Sequence, residues 1–193
     1  VDFVKKIYPN AKILFLMRDG RAVVNSTKRV LKTGVTWRTY TRHLQYFKLE
    51  DLPHLASRMH RILQKATGTT PSFWGPRPKG WRQWVSQDTT LEMCARQWVH
   101  KISAALDALQ SKDDDYYTVY YEEVVERPQS VLDSVLDFVG VNRKTEVLSY
   151  VKKTANPERA YGWVDELTER ERQEIRPILG DVLARLGYQV DCN

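Results

Sequence analysis

Cysteine is scarce: the 193-residue chain has two, Cys94 and Cys192, and they do not share C-x-x-C spacing. A disulfide framework and a thiolate metal cluster are both excluded. The four histidines, His43, His54, His60 and His100, have no metal-ligand spacing and no carboxylate placed to orient them, so no metal site and no histidine dyad is expected. None of the nine glycines precedes Lys-Ser or Lys-Thr, which leaves the chain without a glycine-rich phosphate cradle. No apolar run approaches the roughly 18 residues that a membrane span requires, and no signal-peptide pattern opens the chain. Val1 already lies in an apparent helix that leads into a strand. The expectation is one domain over residues 1–193 whose N-terminal part is missing.

What is present is globular and basic. Hydrophobic residues make up 42% and charged residues 28%, enough for a core, and 30 Lys+Arg against 24 Asp+Glu leave a net charge of +6. That balance suits an anionic partner without choosing among nucleotide, nucleic acid and acidic substrate. AKILFLM, residues 11–17, is an unbroken apolar run of strand length, the pattern of a strand buried on both faces of a parallel sheet. Asp19 can cap a helix to about Lys32, with Val23, Val24, Thr27, Val30 and Leu31 at helical spacing. Residues 39–66 carry a weaker helical signal. Residues 67–88, rich in Pro, Gly and Trp, read as a long irregular loop.

Helical order returns at Thr89, where T-x-x-E to Glu92 is a capping-box pattern and Leu91, Ala95, Trp98, Val99 and Ile102 keep the period. YYTVYY, 116–121, reads as a second core strand. Pro128 and Gly140 bracket another helix. Thr168 and Glu171 open a last one, which runs to Gly187 and which Pro177 should kink or divide. Helices alternating with buried strands place the chain in the α/β class with a mainly parallel sheet.

Within that frame Arg18 stands at the carboxyl end of a strand, where open α/β sheets bind ligands, and beside a helix N-terminus suited to an anion. Helical side chains tilt toward the N-terminus, so the Ser26 hydroxyl points back toward Arg18. One phosphate between them can accept from both, unless Arg18 pairs with Asp19 and Ser26 faces solvent. Asn25-Ser26-Thr27 matches the N-glycosylation pattern, but it lies inside a helix and is rejected as an acceptor.

YPNAKILFLMRDGRAVVNS, residues 8–26, resembles the 3′-phosphate-binding segment of sulfotransferases that use 3′-phosphoadenosine 5′-phosphosulfate (PAPS). Its RDGRA form is similar to the tyrosylprotein-sulfotransferase-like and bacterial branches. CARQWVHKISAAL, YYEEVVERPQSVLDSVLDFVGV and RAYGWVDELTERE resemble later family segments in family order. The resemblance implies a P-loop-NTPase-like parallel sheet flanked by helices. It also implies a nucleotide-binding enzyme moving a sulfuryl group from PAPS, without metal, to a hydroxyl or amine acceptor on a small molecule, glycan or peptide tyrosine. It places cofactor contacts at Arg18, Ser26, Tyr121 and Arg159. The family's 5′-phosphosulfate loop and its base have no counterpart here, so the catalytic residues are unknown and the chain is expected to be inactive alone, as the 3′-phosphate and adenine-binding half of a site.

Two other readings compete. A P-loop kinase relative requires a Walker A motif, which is not present. A basic nucleic-acid-binding domain requires clustered cations with interleaved aromatics, for which RPKGWRQW, 77–84, is the single stretch. Neither a nucleic-acid partner nor a membrane contact is expected. Family relatives work in the Golgi lumen or the cytoplasm, which leaves the compartment and the oligomeric state open.

Overall fold

The computed structural model describes residues 2–33, 77–109, 115–142 and 145–190. Helix α1 (Asp2–Ile7) leads to strand β1 (Ile13–Met17) and helix α2 (Gly20–Thr33). After α3 (Trp81–Gln87) and the long α4 (Thr90–Leu109) comes β2 (Tyr116–Tyr120), which passes directly into α5 (Tyr121–Glu126). Helices α6 (Pro128–Val139), α7 (Thr145–Thr154), α8 (Pro157–Tyr161), α9 (Trp163–Glu166) and α10 (Glu169–Arg185) follow.

The two strands pair in parallel, with Ile13 opposite Tyr116 and Met17 opposite Tyr120. They are the whole sheet among the described residues. The expected α/β fold, a P-loop-NTPase-like parallel sheet flanked by helices, is therefore overturned: the described body is overwhelmingly helical, with a two-stranded sheet at one side. Strand β1 shows why. It buries Met17 but leaves Leu14 43% and Leu16 64% exposed, so one of its faces is open where both were expected to be covered.

The core forms instead where three helices present apolar stripes to one another. Ala22 and Val24 of α2, Leu91, Ala95 and Trp98 of α4, and Ile175, Leu179 and Val182 of α10 make one buried cluster. Trp163 and Leu167 close it from α9 and the turn beyond. Tyr117 of β2 stacks on Phe138 of α6, ring centroids 5.2 Å apart, which docks that helix on the sheet.

Helix boundaries follow local chemistry. Both capping boxes form: the Thr89 and Thr168 hydroxyls accept from the N–H groups of Glu92 and Glu171, whose carboxylates accept in return. Gly140, at φ 77°, ends α6 in the left-handed conformation that glycine adopts without penalty. Helix α10 runs through Pro177 undivided. Pro177 and Gln173, whose carbonyl the missing N–H would have served, are both exposed, so water can take that bond. Within the expected loop of 67–88 the described part contains α3, with Arg77 and Arg82 stacked on Trp81 at 4.7 and 5.3 Å. The weak helical signal at 39–66 falls outside the described residues, as does the rest of that loop, 67–76.

Gly20 opens α2 directly against Trp98, where an added Cβ would sit 2.9 Å from the indole ring. Gly20→Ala is expected to destabilise the fold by about 1–3 kcal/mol, the usual cost of overpacking, read as a lower urea midpoint at unchanged m-value. Cys94 is 4% exposed, and burial pushes its thiol up to about 11. In a Cys192→Ser background, a thiol reagent at pH 8 should label Cys94 only after denaturant is added; rapid labelling of the native protein would place that thiol at the surface.

Candidate functional site

Strand β1 ends at Met17 and α2 begins at Gly20, so Arg18 and Asp19 make the whole turn. Asp19 is 5% exposed, and its carboxylate accepts the Arg21 N–H at 2.8 Å and grips the Arg21 guanidinium at 2.8–3.2 Å. Arg21 in turn lies over the Trp163 ring, 4.1 Å from its centroid. The Asp19 N–H donates to Glu122 Oε1 at 3.0 Å, and the Tyr188 hydroxyl donates to Glu122 Oε2 at 2.9 Å. Buried carboxylates stay charged only with partners of this kind. Burial first, then the Glu122 carboxylate, pushes the Tyr188 phenol well above its usual range.

Asp19 is thus committed to Arg21, and Arg18 turns the other way. Its guanidinium lies 4.4 Å from the centre of the Tyr121 ring and donates to the Arg159 carbonyl. Its Nε is sealed from solvent without an acceptor among the described residues. Arg159 sits on α8, a short helix started by Asn156, whose side chain accepts the Glu158 N–H at 2.9 Å. Neither Arg18 nor Arg159 is ion-paired to a described residue. Two nearby acids are otherwise engaged: Glu126 accepts from the Tyr161 hydroxyl, a bond that, ahead of burial, raises that phenol to about 12. Glu166 takes the Asn25 amide at 2.8 Å and Arg29 at 3.2 Å.

A cleft of about 210 Å³ lies between α2, α8 and α9, and its lining includes Asn25, Arg29, Glu158, Arg159, Trp163 and Glu166. Asn25 is 4% exposed with its amide bonded, in keeping with its rejection as a glycan acceptor. Of the four residues singled out from sequence, the structure brings three together, Arg18, Tyr121 and Arg159. Tyr121 is the first residue of α5 rather than the end of a strand. Ser26 is half-buried on α2 and makes no hydrogen bond to a described residue; like Arg18 and Tyr121, it does not line this cleft. Sequence reasoning missed Glu122 and Tyr188; an acid directly after the second strand, level with Asp19 in the paired register, was the available signal for Glu122.

A family model described as the sulfotransferase family matches residues 1–72, less than half of the chain. Protein-tyrosine sulfotransferase A of Caenorhabditis elegans is 22% identical over 213 positions, covering 99% of this chain and 42% of that protein. The protein-tyrosine sulfotransferase of Drosophila melanogaster is 25% identical over 197 positions, covering 100% of this chain and 33% of that protein. The chain spans less than half the length of these curated relatives, and no solved structure matches it. It is distantly homologous, at low identity, to members of the sulfotransferase and tyrosine-sulfotransferase family.

The functional expectations tied to the sheet do not survive. The described residues contain no sheet-based nucleotide-binding architecture, and the first turn of α2 is already occupied by Asp19, itself held by Glu122. The reading of this chain as the PAPS-binding half of a sulfotransferase is therefore overturned, and with it PAPS as co-substrate and the assignment as a PAPS-dependent enzyme. The description as an α/β, P-loop-NTPase-like nucleotide-binding transferase falls with them. The kinase alternative requires a Walker A motif, which this sequence does not contain, and in the 77–84 stretch Arg77 and Arg82 stack on Trp81. Among the described residues no cluster of His, Cys, Asp or Glu could hold a metal ion, and no helix is long and apolar enough to cross a membrane.

The Tyr188 phenol is raised in the folded state, so the unfolded chain loses that proton first as pH climbs. Its contribution to stability is fully present below about pH 10 and is lost as pH rises through the higher folded value. Tyr188→Phe is expected to cost about 0.5–1.5 kcal/mol at neutral pH and to flatten part of the alkaline decline, checked by urea titrations from pH 7 to 11.

Proposed function

We propose that the chain is an oxyanion-binding module in which Arg18 and Arg159 hold a phosphate or sulfate monoester group. The observation that carries this reading is two arginines linked through the Arg159 carbonyl, neither ion-paired to a described residue, while the acids Glu126 and Glu166 have other partners. An oxyanion reached by both side chains would match their forked donors and offer an acceptor to the Arg18 Nε, which has none among the described residues. Tyr121 is the platform that holds Arg18 flat. Ser26, half-buried on α2, supplies a neutral donor to the same group. No group transfer is attributed to the chain.

We further propose that the module descends from the tyrosylprotein-sulfotransferase-like branch. Support comes from the two protein-tyrosine sulfotransferases that align along nearly all of it.

Calorimetric titration with phenyl phosphate and phenyl sulfate, against phenol as the uncharged counterpart, tests the proposal. Both esters should bind and phenol should not. A charge-assisted hydrogen bond is worth about 1.5–3 kcal/mol, so Arg18→Ala or Arg159→Ala should weaken ester binding roughly ten- to a hundredfold. Ser26→Ala should cost less, and Tyr121→Phe, which keeps the ring, less than Tyr121→Ala. Ester affinity no better than that of phenol, or unchanged in both arginine variants, would remove the module's defining property.

A further inference from the structure

A group of cations outside the lining of the oxyanion cleft gathers at α3. Arg77, Lys79 and Arg82 fall within six residues, all three are exposed, and none is ion-paired to a described residue. The acids nearest in sequence are already engaged. Asp88 takes the Arg96 guanidinium at 2.8 Å, and the Glu92 carboxylate accepts the Thr89 N–H at 2.8 Å. Lys28, Arg29 and Arg127 each face a carboxylate, whereas the three cations at α3 face none among the described residues.

The two guanidinium groups are held in place. Gly80, at φ 86°, turns the chain in the left-handed conformation that glycine favours, and Arg77 before the turn and Arg82 after it both lie over the Trp81 ring, 4.7 and 5.3 Å from its centroid. A guanidinium laid on an indole keeps N–H donors at its edge for an anion, and it loses less freedom when the anion arrives. Trp84, the other tryptophan of α3, meets His100 of α4 edge-on with ring centroids 6.5 Å apart, which ties the short helix to the body.

The rest of this surface decides the occupant. Between residues 77 and 108 no large hydrophobic side chain is exposed, so a lipid surface or an amphipathic peptide would have nothing apolar to bury here. Both tryptophan rings of α3 are engaged, so the bases of a single strand find no open platform. An anionic carbohydrate needs neither, because it carries its charge on a hydroxylic backbone. Three cations so close together call for anions at similar spacing, which a chain with more than one charge per sugar supplies. From this combination we infer that the α3 patch binds a highly sulfated polysaccharide, its sulfate groups received by Arg77, Lys79 and Arg82.

Calorimetric titrations of the full chain at one salt concentration test this, with a heparin fragment, a hyaluronate fragment of the same length and single-stranded DNA. Heparin should bind saturably. Hyaluronate, whose carboxylates are sparse, and single-stranded DNA, whose bases need a platform, should each bind roughly tenfold more weakly or worse. The combined change Arg77→Gln, Lys79→Gln and Arg82→Gln should weaken heparin by a similar factor while phenyl phosphate binding is kept. Arg159→Ala, which disables the oxyanion cleft, should lose phenyl phosphate and keep heparin, so failure of the cleft and failure of the patch are told apart. Lys79→Gln alone leaves Trp81 and its two arginines untouched and should weaken heparin roughly twofold or more, which locates the site even if the combined variant fails to fold. The inference is overturned by no heparin binding, by hyaluronate or DNA binding as tightly as heparin, or by heparin affinity that is unchanged in the folded variants at α3.

Discussion

The chain that runs from Arg21 through Asp19 and Glu122 to Tyr188 is the constraint on which the rest of the structure depends. It joins the start of α2, the start of α5 and the segment after α10, three places far apart in sequence, through contacts of about 3 Å. Two of its members are carboxylates that are almost wholly buried. Truncating one partner in such a network leaves an uncompensated charge or donor inside the protein, at a cost of several kcal/mol. The network also decides which arginine does what. With Asp19 taken by Arg21, its neighbour Arg18 must look elsewhere, and Tyr121, placed by the passage from β2 into α5, is what it finds.

A second consequence concerns the distribution of charge. Several cations around the site are matched one to one. Lys28 is matched by Glu171, whose carboxyl is held below its usual range chiefly by that hydrogen bond. Arg29 is matched by Glu166 and Arg127 by Glu123. Pairing of this kind leaves Arg18 and Arg159 among the cations without an ion pair to a described residue.

Local elements were legible in the sequence wherever a single stretch of chain carries its own signal. Asp19 caps α2, both Thr-x-x-Glu boxes form, and Pro128 and Gly140 bracket α6, because each depends on atoms within a few residues of one another. Arg18, Tyr121 and Arg159 were also legible as a group through family resemblance, and the structure does gather them. The sheet was misjudged. An apolar run such as ILFLM reads the same whether one face or both are covered, and here Leu14 and Leu16 remain open. Equally, apolar stripes at helical period say that a helix buries one side without saying against what, and α2, α4 and α10 pack on each other. Glu122 escaped notice because its role requires Asp19, 103 residues away.

That separation bears on the order in which the molecule assembles. Parallel pairing of Ile13 with Tyr116 closes a loop of about a hundred residues, and loop closure of that length costs entropy before any ladder bond repays it. Contacts between such distant segments slow folding relative to those within a hairpin or a helix pair. The helices that surround the two strands can form early, but the strand ends are brought into register only when the distant halves of the chain meet. The turn that carries Arg18 lies at that junction, so it is among the last parts of the molecule to acquire its shape.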